Sequence, residues 1–558
     1  MAIIRPSGPR DEISWSGWGD PAQAAPLPDG LRQVLNDTLG LRPGVPLPTS
    51  ISELELTPVR LAGPSRDALS AIVGESHAHS GHEARARHAR GKSTIDLLEL
   101  RQDRPLAAPD LVLSPATHDE VIAVLAHCSG ADVAVVPFGG GTSVVGGLRP
   151  ETAQFAGVVA LDLRRLNGLV ELDEESRTAV LEPGLRGPEA EALLAPRGYT
   201  IGHFPQSWQY ATLGGFAAAR SSGQASAGYG RFDDRVLGLQ VATPAGTLSL
   251  GRAPKSAAGP DLRQLVLGSE GAFGVITALI VAVDPAPERR VYEGWSLPSF
   301  WEGAAVLRRL IQDGPVPTVL RLSDEAETAV GLARPGQMDP TARAAAGSEP
   351  APGGCLAILG WEGRYEEVER RRRMTAELLL EAGANPVPGA GDSWAAGRYQ
   401  APYLRDALLD AGALVETLET VAYWSGLDGL KAMVHAAIQE ALTAQGTPPL
   451  ILCHISHAYP AGASLYFTVI CAMAEDPVAQ WRAAKTAANE AILDAGGSIT
   501  HHHGVGADHR EPYAREVGPL AIEMLRAVKR TLDPAGILNP GILFAPEGGD
   551  GAAAADSE

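Results

Sequence analysis

One stretch constrains this 558-residue chain more than any other: residues 134–147, AVVPFGGGTSVVGG. An apolar strand runs straight into Gly139, Gly140 and Gly141, followed by the hydroxyls of Thr142 and Ser143. Glycines reach positive φ and let backbone approach a ligand with no Cβ in the way. Successive N–H groups in such a turn form a nest for a pyrophosphate, and the hydroxyls add bonds. The spacing is neither a G-x-G-x-x-G opening a helix nor a Walker A loop, which would end in lysine. A tight turn without a ligand would explain this loop alone. Two further loops weigh against it: residues 202–230, dense in small and polar side chains, and residues 268–277, GSEGAFGVIT, just before a strand. Together they suit a long cofactor lying against backbone.

Around these loops strands and helices alternate. Residues 111–114 read as a strand, 118–128 as a helix with Val121, Val124 and Leu125 on one face, and 131–136 as the strand entering the glycines. Residues 158–163 and 178–181 read as strands, and Pro188 opens a helix that Gly198 stops. The alternation runs to about Val283, which predicts an α/β or α+β domain, and DPAPE at 284–288 marks its boundary. Helices and strands alternate again beyond it. The clearest helix spans 366–381, where Arg370, Arg371, Arg372 and Arg373 fan round the axis as on a solvated face. Residues 74–92, with four histidines and several arginines, also read as solvated surface. Residues 333–354 and the tail from 546 read as flexible.

Bulk properties narrow the class. The length predicts two or more cores. A net charge of -20, from 66 acidic and 46 basic residues, disfavours nonspecific nucleic-acid or anionic-membrane binding. Cys128, Cys355, Cys453 and Cys471 form no C-x-x-C pair, so buried thiols are expected. The N-terminus has no secretory h-region, no apolar run is long enough to span a membrane, and the C-terminal ADSE is not a peroxisomal address. A cytoplasmic enzyme is the expectation, with a shallow peripheral membrane contact and a homodimer left open.

In order and spacing the three loops resemble the FAD domain of the vanillyl-alcohol-oxidase superfamily, the PCMH-type fold. The resemblance implies an α+β protein: a two-subdomain PCMH-type FAD-binding domain over 104–288 and an α/β cap, or substrate, domain over 289–480. A mostly helical and irregular segment, 1–103, would precede them, with a C-terminal segment over 481–545 and a disordered tail over 546–558. Pro137, Phe138, Gly139, Gly140, Gly141, Thr142 and Ser143 would hold the FAD pyrophosphate. Gln206, Ser207, Trp208, Gln209, Tyr210, Ala211 and Thr212 would line the cofactor further along. So would Ala219, Arg220, Ser221 and Ser222, and the run Glu270, Gly271, Ala272, Phe273, Gly274, Val275 and Ile276. Many members tether FAD to a histidine beside the glycine loop; residues 137–147 contain none, which predicts noncovalent FAD.

The C-terminal half narrows the resemblance. Residues 498–506 read SITHHHGVG; Tyr466 lies in ASLYFTVI, Arg405 in PYLRD, Arg321 in TVLRLSD, and ETLET and WSGWGD complete the set. Over about residues 13–543 these resemble the alkyldihydroxyacetonephosphate synthase family. The implied reaction exchanges the acyl group of acyl-dihydroxyacetone phosphate for a fatty alcohol, without net redox. Tyr466 would be the acid/base, with His501, His502 and His503 catalytic, and Arg405 and Arg321 would bind substrate. A phenol with a pKa near 10 needs a neighbouring cation to ionise at neutral pH, a field the histidines would partly supply. Arg405 can grip phosphate bidentately; for Arg321 a structural salt bridge is the equal alternative. The triplet shows no cysteine or carboxylate partner set, so no metal is expected. Phe204 and Gln206 stand where animal enzymes carry an acidic pair, and Ala507, Asp508, His509 and Arg510 replace a usual Lys-Leu-Arg. The rival is an FAD-dependent 2-hydroxyacid dehydrogenase acting on D-lactate or glycolate. Those usually carry an H-G-D-G-N metal motif, which is absent here.

Overall fold

The computed structural model describes residues 3–6, 10, 12–27, 29–42, 44, 47, 50–102, 105–333 and 354–545. The two segments expected to be flexible therefore lie almost wholly outside the described residues. No helix among the described residues is long and apolar enough to cross a membrane.

Two sheets carry the N-terminal half. In the first, Leu111–Leu113, Gly157–Asp162 and Val133–Phe138 are parallel neighbours, and helix His118–Gly130 makes the crossover. These strands are buried on both faces, so they read as continuous apolar runs rather than as alternation. Thr117 caps the helix on Glu120 N–H, and Val121, Val124, Leu125 and Cys128 face the sheet. The second sheet is antiparallel, in the order Leu169–Asp173, Thr178–Leu181, Val275–Ala282, Val236–Thr243, Gly246–Leu250. The glycine loop leaves the end of Val133–Phe138 and meets the loops of this second sheet.

The C-terminal half is a seven-stranded antiparallel sheet. Its order is Asn385–Val387, Arg289–Leu297, Cys355–Gly363, Val319–Ser323, Leu450–Ala458, Gly462–Ala472, Ala413–Tyr423. Helices Phe300–Asp313, Leu427–Ala444 and Pro477–Asp494 supply one core with its apolar face, including Leu465, Phe467, Cys453 and Ile455. Side chains alternate across a strand, so Tyr466 and His454 fall on the opposite face. The chain then returns: Val135 N–H bonds Ile537 O at 2.8 Å, and Leu538 bridges Val135, at the strand that feeds the glycine loop.

Two surface expectations need correction. Within residues 74–92, Arg85 is buried and bonds the carbonyls of Pro109 (2.8 Å) and Thr57 (2.6 Å). His88 lies 3.2 Å from Asp162 and 4.3 Å, ring to ring, from Phe138. Lys92 is buried with its ammonium on the carbonyls of Ser14 and Trp15. A polar run stays solvated only where nothing nearby satisfies it; here backbone carbonyls and a carboxylate do. The arginine run in helix Tyr365–Glu381 also divides. Arg370 and Arg373 are exposed, whereas Arg371 bonds Glu362 O at 2.6 Å and Arg372 pairs with Glu293, tying the helix to the sheet.

Candidate active site

The glycine loop is a cradle pressed against a second loop. A Cβ at Gly139 would stand 2.4 Å from Thr212 Oγ1, and one at Gly140 would stand 2.2 Å from Tyr210 O. Gly141 takes φ +68°, which a side chain would strain. Thr212 in turn accepts from Gly215 N–H and caps helix Leu213–Ala218. Around the cradle Ser222 Oγ and His203 Nδ1 are, among the described residues, buried polar atoms without hydrogen-bond partners. Orphaned groups of this kind cost free energy unless a ligand meets them. The residues present fit FAD.

Several side chains expected to line FAD do other work. Glu270 is buried and accepts from Val505 N–H (2.9 Å) and Gly506 N–H (2.7 Å), fastening the C-terminal segment to the FAD half; burial pushes its carboxyl up to about 7. Ala272 and Phe273 pack in a core with Ile522 and Phe544, while Val275 and Ile276 belong to the cores of the two N-terminal sheets. Tyr210 packs on Trp18 with Arg186 over its ring. Sequence spacing locates such a loop but not which way each side chain turns.

On the non-core face of the cap sheet, register aligns three residues in a row: His454 opposite Tyr466, and Tyr466 opposite Glu419. The His454 and Tyr466 rings stack 4.9 Å apart. His502 stacks on Tyr466 at 6.2 Å and His503 meets it edge-on at 5.6 Å. Behind His454, Arg321 Nη1 donates to its Nε2 at 2.8 Å, and Glu327 accepts from both Arg321 (2.6 Å) and His454 Nδ1 (3.0 Å). A neutral His454 with its proton on Nδ1 satisfies both of these bonds; Arg321 Nη2, 3.1 Å from Nδ1, then serves Glu327 instead. For Arg321, the salt-bridge alternative holds: its charge is tied to Glu327, one ring away from Tyr466.

Glu419 organises the histidine triplet, and sequence reading gave it no role. Its carboxylate, fully buried, accepts from Thr500 Oγ1 (2.7 Å) and from the backbone N–H groups of His501 (2.5 Å), His502 (2.9 Å) and His503 (2.8 Å). His502 Nδ1 and His503 Nδ1 lie 3.7 and 3.8 Å from it. Although burial pushes the other way, the adjacent imidazoles and N–H groups, which favour the carboxylate over the neutral acid, hold the carboxyl well below the usual range. The signal was available: in ALVETLETVAY, Glu416 and Glu419 are the only charged residues of the strand.

The histidines do not supply the cationic field expected at Tyr466; the nearby charge is that of Arg321. Burial pushes His502 and His503 down to about 4 and His501 well below its ordinary value, so all three are neutral at pH 7. Burial likewise pushes Tyr466 up to about 12. The site holds a phenol, not a phenolate.

A β-bulge between Ile455 and His457 turns His457 toward the same site. His457 bonds Gly223 O at 3.1 Å, and His501 bonds Tyr459 Oη at 2.7 Å and His502 Nδ1 at 3.0 Å. One ring nitrogen each from His457, His501 and His502 lies within 4.8 Å of the others. The triplet thus has a third-strand partner that sequence spacing did not reveal. Both nitrogens of His457 are already engaged, with Ser456 and Gly223.

Arg405 is held by a different set of partners. Its Nε and Nη2 bond Asp406 Oδ1 at 3.0 and 2.8 Å, and Nη1 donates to Lys92 O. Asp406 accepts from Trp18 N–H, and Lys92 N–H bonds Ser143 O at 2.7 Å. Arg405 therefore clamps the WSGWGD segment and the glycine loop together, and its fork is fully used; a bidentate grip on phosphate requires Asp406 to yield.

Comparison with known proteins agrees with this architecture. Residues 109–250 match the FAD binding domain family and residues 286–543 the FAD linked oxidases C-terminal domain family, so FAD is the cofactor of this architecture. An alkyldihydroxyacetonephosphate synthase of Dictyostelium discoideum is 31% identical, over 95% of this chain and 93% of the relative. A solved alkyldihydroxyacetonephosphate synthase superposes with a TM-score of 0.80 at 29% identity, covering 95% of this chain and 98% of its own. Glycolate oxidase subunit GlcD of Bacillus subtilis is more distant, 26% identical over 79% of this chain and 90% of its own length.

Proposed function

The chain belongs to the alkyldihydroxyacetonephosphate synthase family, and from that premise we propose that it exchanges the acyl group of acyl-dihydroxyacetone phosphate for a fatty alcohol in ether-lipid synthesis. The observation that carries the reading is the row of His454, Tyr466 and Glu419 with the histidine triplet folded over it.

FAD, when bound, supplies an oxidised ring that is electrophilic toward the substrate carbon. The protein's part is to move a proton and hold the groups still. Tyr466, protonated at neutral pH, acts by relay: it takes a proton from the substrate carbon while passing its own to a neutral imidazole, His502 or His503, beside it. The carboxylate of Glu419 stabilises the imidazolium as it forms. Arg321, His454 and Glu327 support the phenol from behind and fix its ring. Arg405 positions the glycine loop through Lys92, and binds phosphate if Asp406 is displaced.

The FAD is held noncovalently, supported by the lack of any histidine in residues 137–147. Acid precipitation should release yellow flavin to the supernatant; flavin kept on the pellet would refute this. The function itself is tested anaerobically. Acyl-dihydroxyacetone phosphate should perturb the flavin spectrum, and D-lactate or glycolate should leave it oxidised. Bleaching by either hydroxyacid would favour the dehydrogenase reading.

A further inference from the structure

Where the FAD half meets the cap, the cation of Arg398 has no carboxylate partner among the described residues. Arg398 directly follows helix Ala390–Gly397, and its guanidinium lies over three rings: Tyr399 at 4.9 Å, Phe204 at 5.5 Å and Trp394 at 5.7 Å. Among the described residues it forms no ion pair, and its Nη1 is buried without a hydrogen-bond partner. The buried carboxylate of Glu362, in the same cluster, is already taken by Tyr292 Oη (2.7 Å), Tyr229 Oη (3.0 Å) and Arg290 Nε (3.4 Å). Guanidinium on aromatic faces gains some attraction from the rings, but an unmet donor next to apolar walls still calls for an anion.

The surroundings say which anion. The wall is aromatic: Trp208 stacks on Tyr399 at 5.6 Å, and Phe204, Trp208, Tyr292 and Trp394 pack together. Two more N–H groups on the wall, Gln206 Nε2 and Trp208 Nε1, have no acceptor. A single guanidinium with two neutral donors matches the single charge and two oxygens of a carboxylate. The apolar faces beside it match a hydrocarbon chain. The wall also abuts the reacting centre: Gln224 donates to Arg398 O at 3.2 Å, and the adjacent Gly223 O accepts from His457.

We propose that Arg398, with Gln206 and Trp208, binds the carboxylate head of a long-chain fatty acid, its chain lying along the aromatic wall. The inference rests on the exchange reading, in which the acyl group leaves as such a carboxylate, and it names where that product is held.

The test is a binding titration on the FAD-loaded protein, read by tryptophan emission, because Trp208 and Trp394 line the wall. Palmitate is the probe, hexadecanol the uncharged control and inorganic phosphate the competitor. Arg398→Gln should weaken palmitate about tenfold or more and leave hexadecanol within about twofold, with FAD content unchanged. Arg398→Lys, which keeps the charge without the fork, should fall between. Palmitate affinity indifferent to both variants would overturn the proposal. So would loss of FAD from both variants, which would give the donor to the cofactor, or displacement of palmitate by phosphate. Binding is read without turnover, so the two readings fail separately. Arg398-dependent palmitate binding in a protein that performs no exchange sinks the synthase reading alone, whereas exchange with Arg398-independent palmitate binding sinks the fatty-acid site alone.

Discussion

Tyr466 and the three histidines are a case where burial reverses a charge assignment made from residue types. Read in sequence, a tyrosine near HHH suggests a phenolate in a cationic field. In the fold, desolvation keeps the imidazoles neutral and the phenol protonated, and the relay proposed above follows from that. Tyr466→Phe keeps the ring on His454 and removes the transferable proton. Turnover should fall about 10²–10⁴-fold with FAD content and melting temperature little changed; a folded, yellow and fully active variant would end the relay. The histidines also give a pH signature. Each has a folded pKa below its unfolded value, so between about pH 4 and 6.5 the unfolded chain binds more protons. Stability contributed by their neutral burial is complete above about pH 6.5 and is lost as pH falls toward 4. A urea midpoint flat from pH 7.5 to 5 would contradict this burial.

At the scale of elements, what was legible follows from what strands and loops impose locally. The parallel strands, the capped helix at His118–Gly130 and the glycine loop were readable because periodicity, a cap and a run of glycines act within a few residues. The Tyr466 row was not, because it depends on strand register between Leu450–Ala458, Gly462–Ala472 and Ala413–Tyr423 and on a bulge at His457. For the same reason Glu419 passed unnoticed, although a carboxylate in an apolar strand must find donors. It finds four, all on the loop that carries the histidines. Glu419→Gln keeps the shape but loses the charge and one acceptor oxygen. The loop should loosen at a cost on the order of 3 kcal/mol, with loss of turnover. Hydrogen exchange at His501, His502 and His503 should speed up while the glycine loop stays protected; unchanged exchange there would remove Glu419 from its organising role.

Over the whole molecule, the FAD half, the cap sheet and the returning C-terminal segment meet around one centre, and the contacts that close it are distant in sequence. Arg405 and Lys92 join the N-terminal segment to the glycine loop, Glu270 joins the FAD half to the loop after the triplet, and Leu538 closes on the strand that enters the cradle. No spacing rule predicts such closures. They are why Arg405 also clamps chain segments together. The assembly sets the glycine cradle beside the row of His454, Tyr466 and Glu419, and the exchange proposed for it can be tested as a whole. One measurement tests that most directly: FAD-loaded protein incubated with acyl-dihydroxyacetone phosphate and radiolabelled hexadecanol. Label should enter the dihydroxyacetone phosphate product, with one fatty acid released per alcohol incorporated and no net reduction of an added dye. Dye reduction driven by D-lactate or glycolate, with no label in the phosphate product, would contradict it.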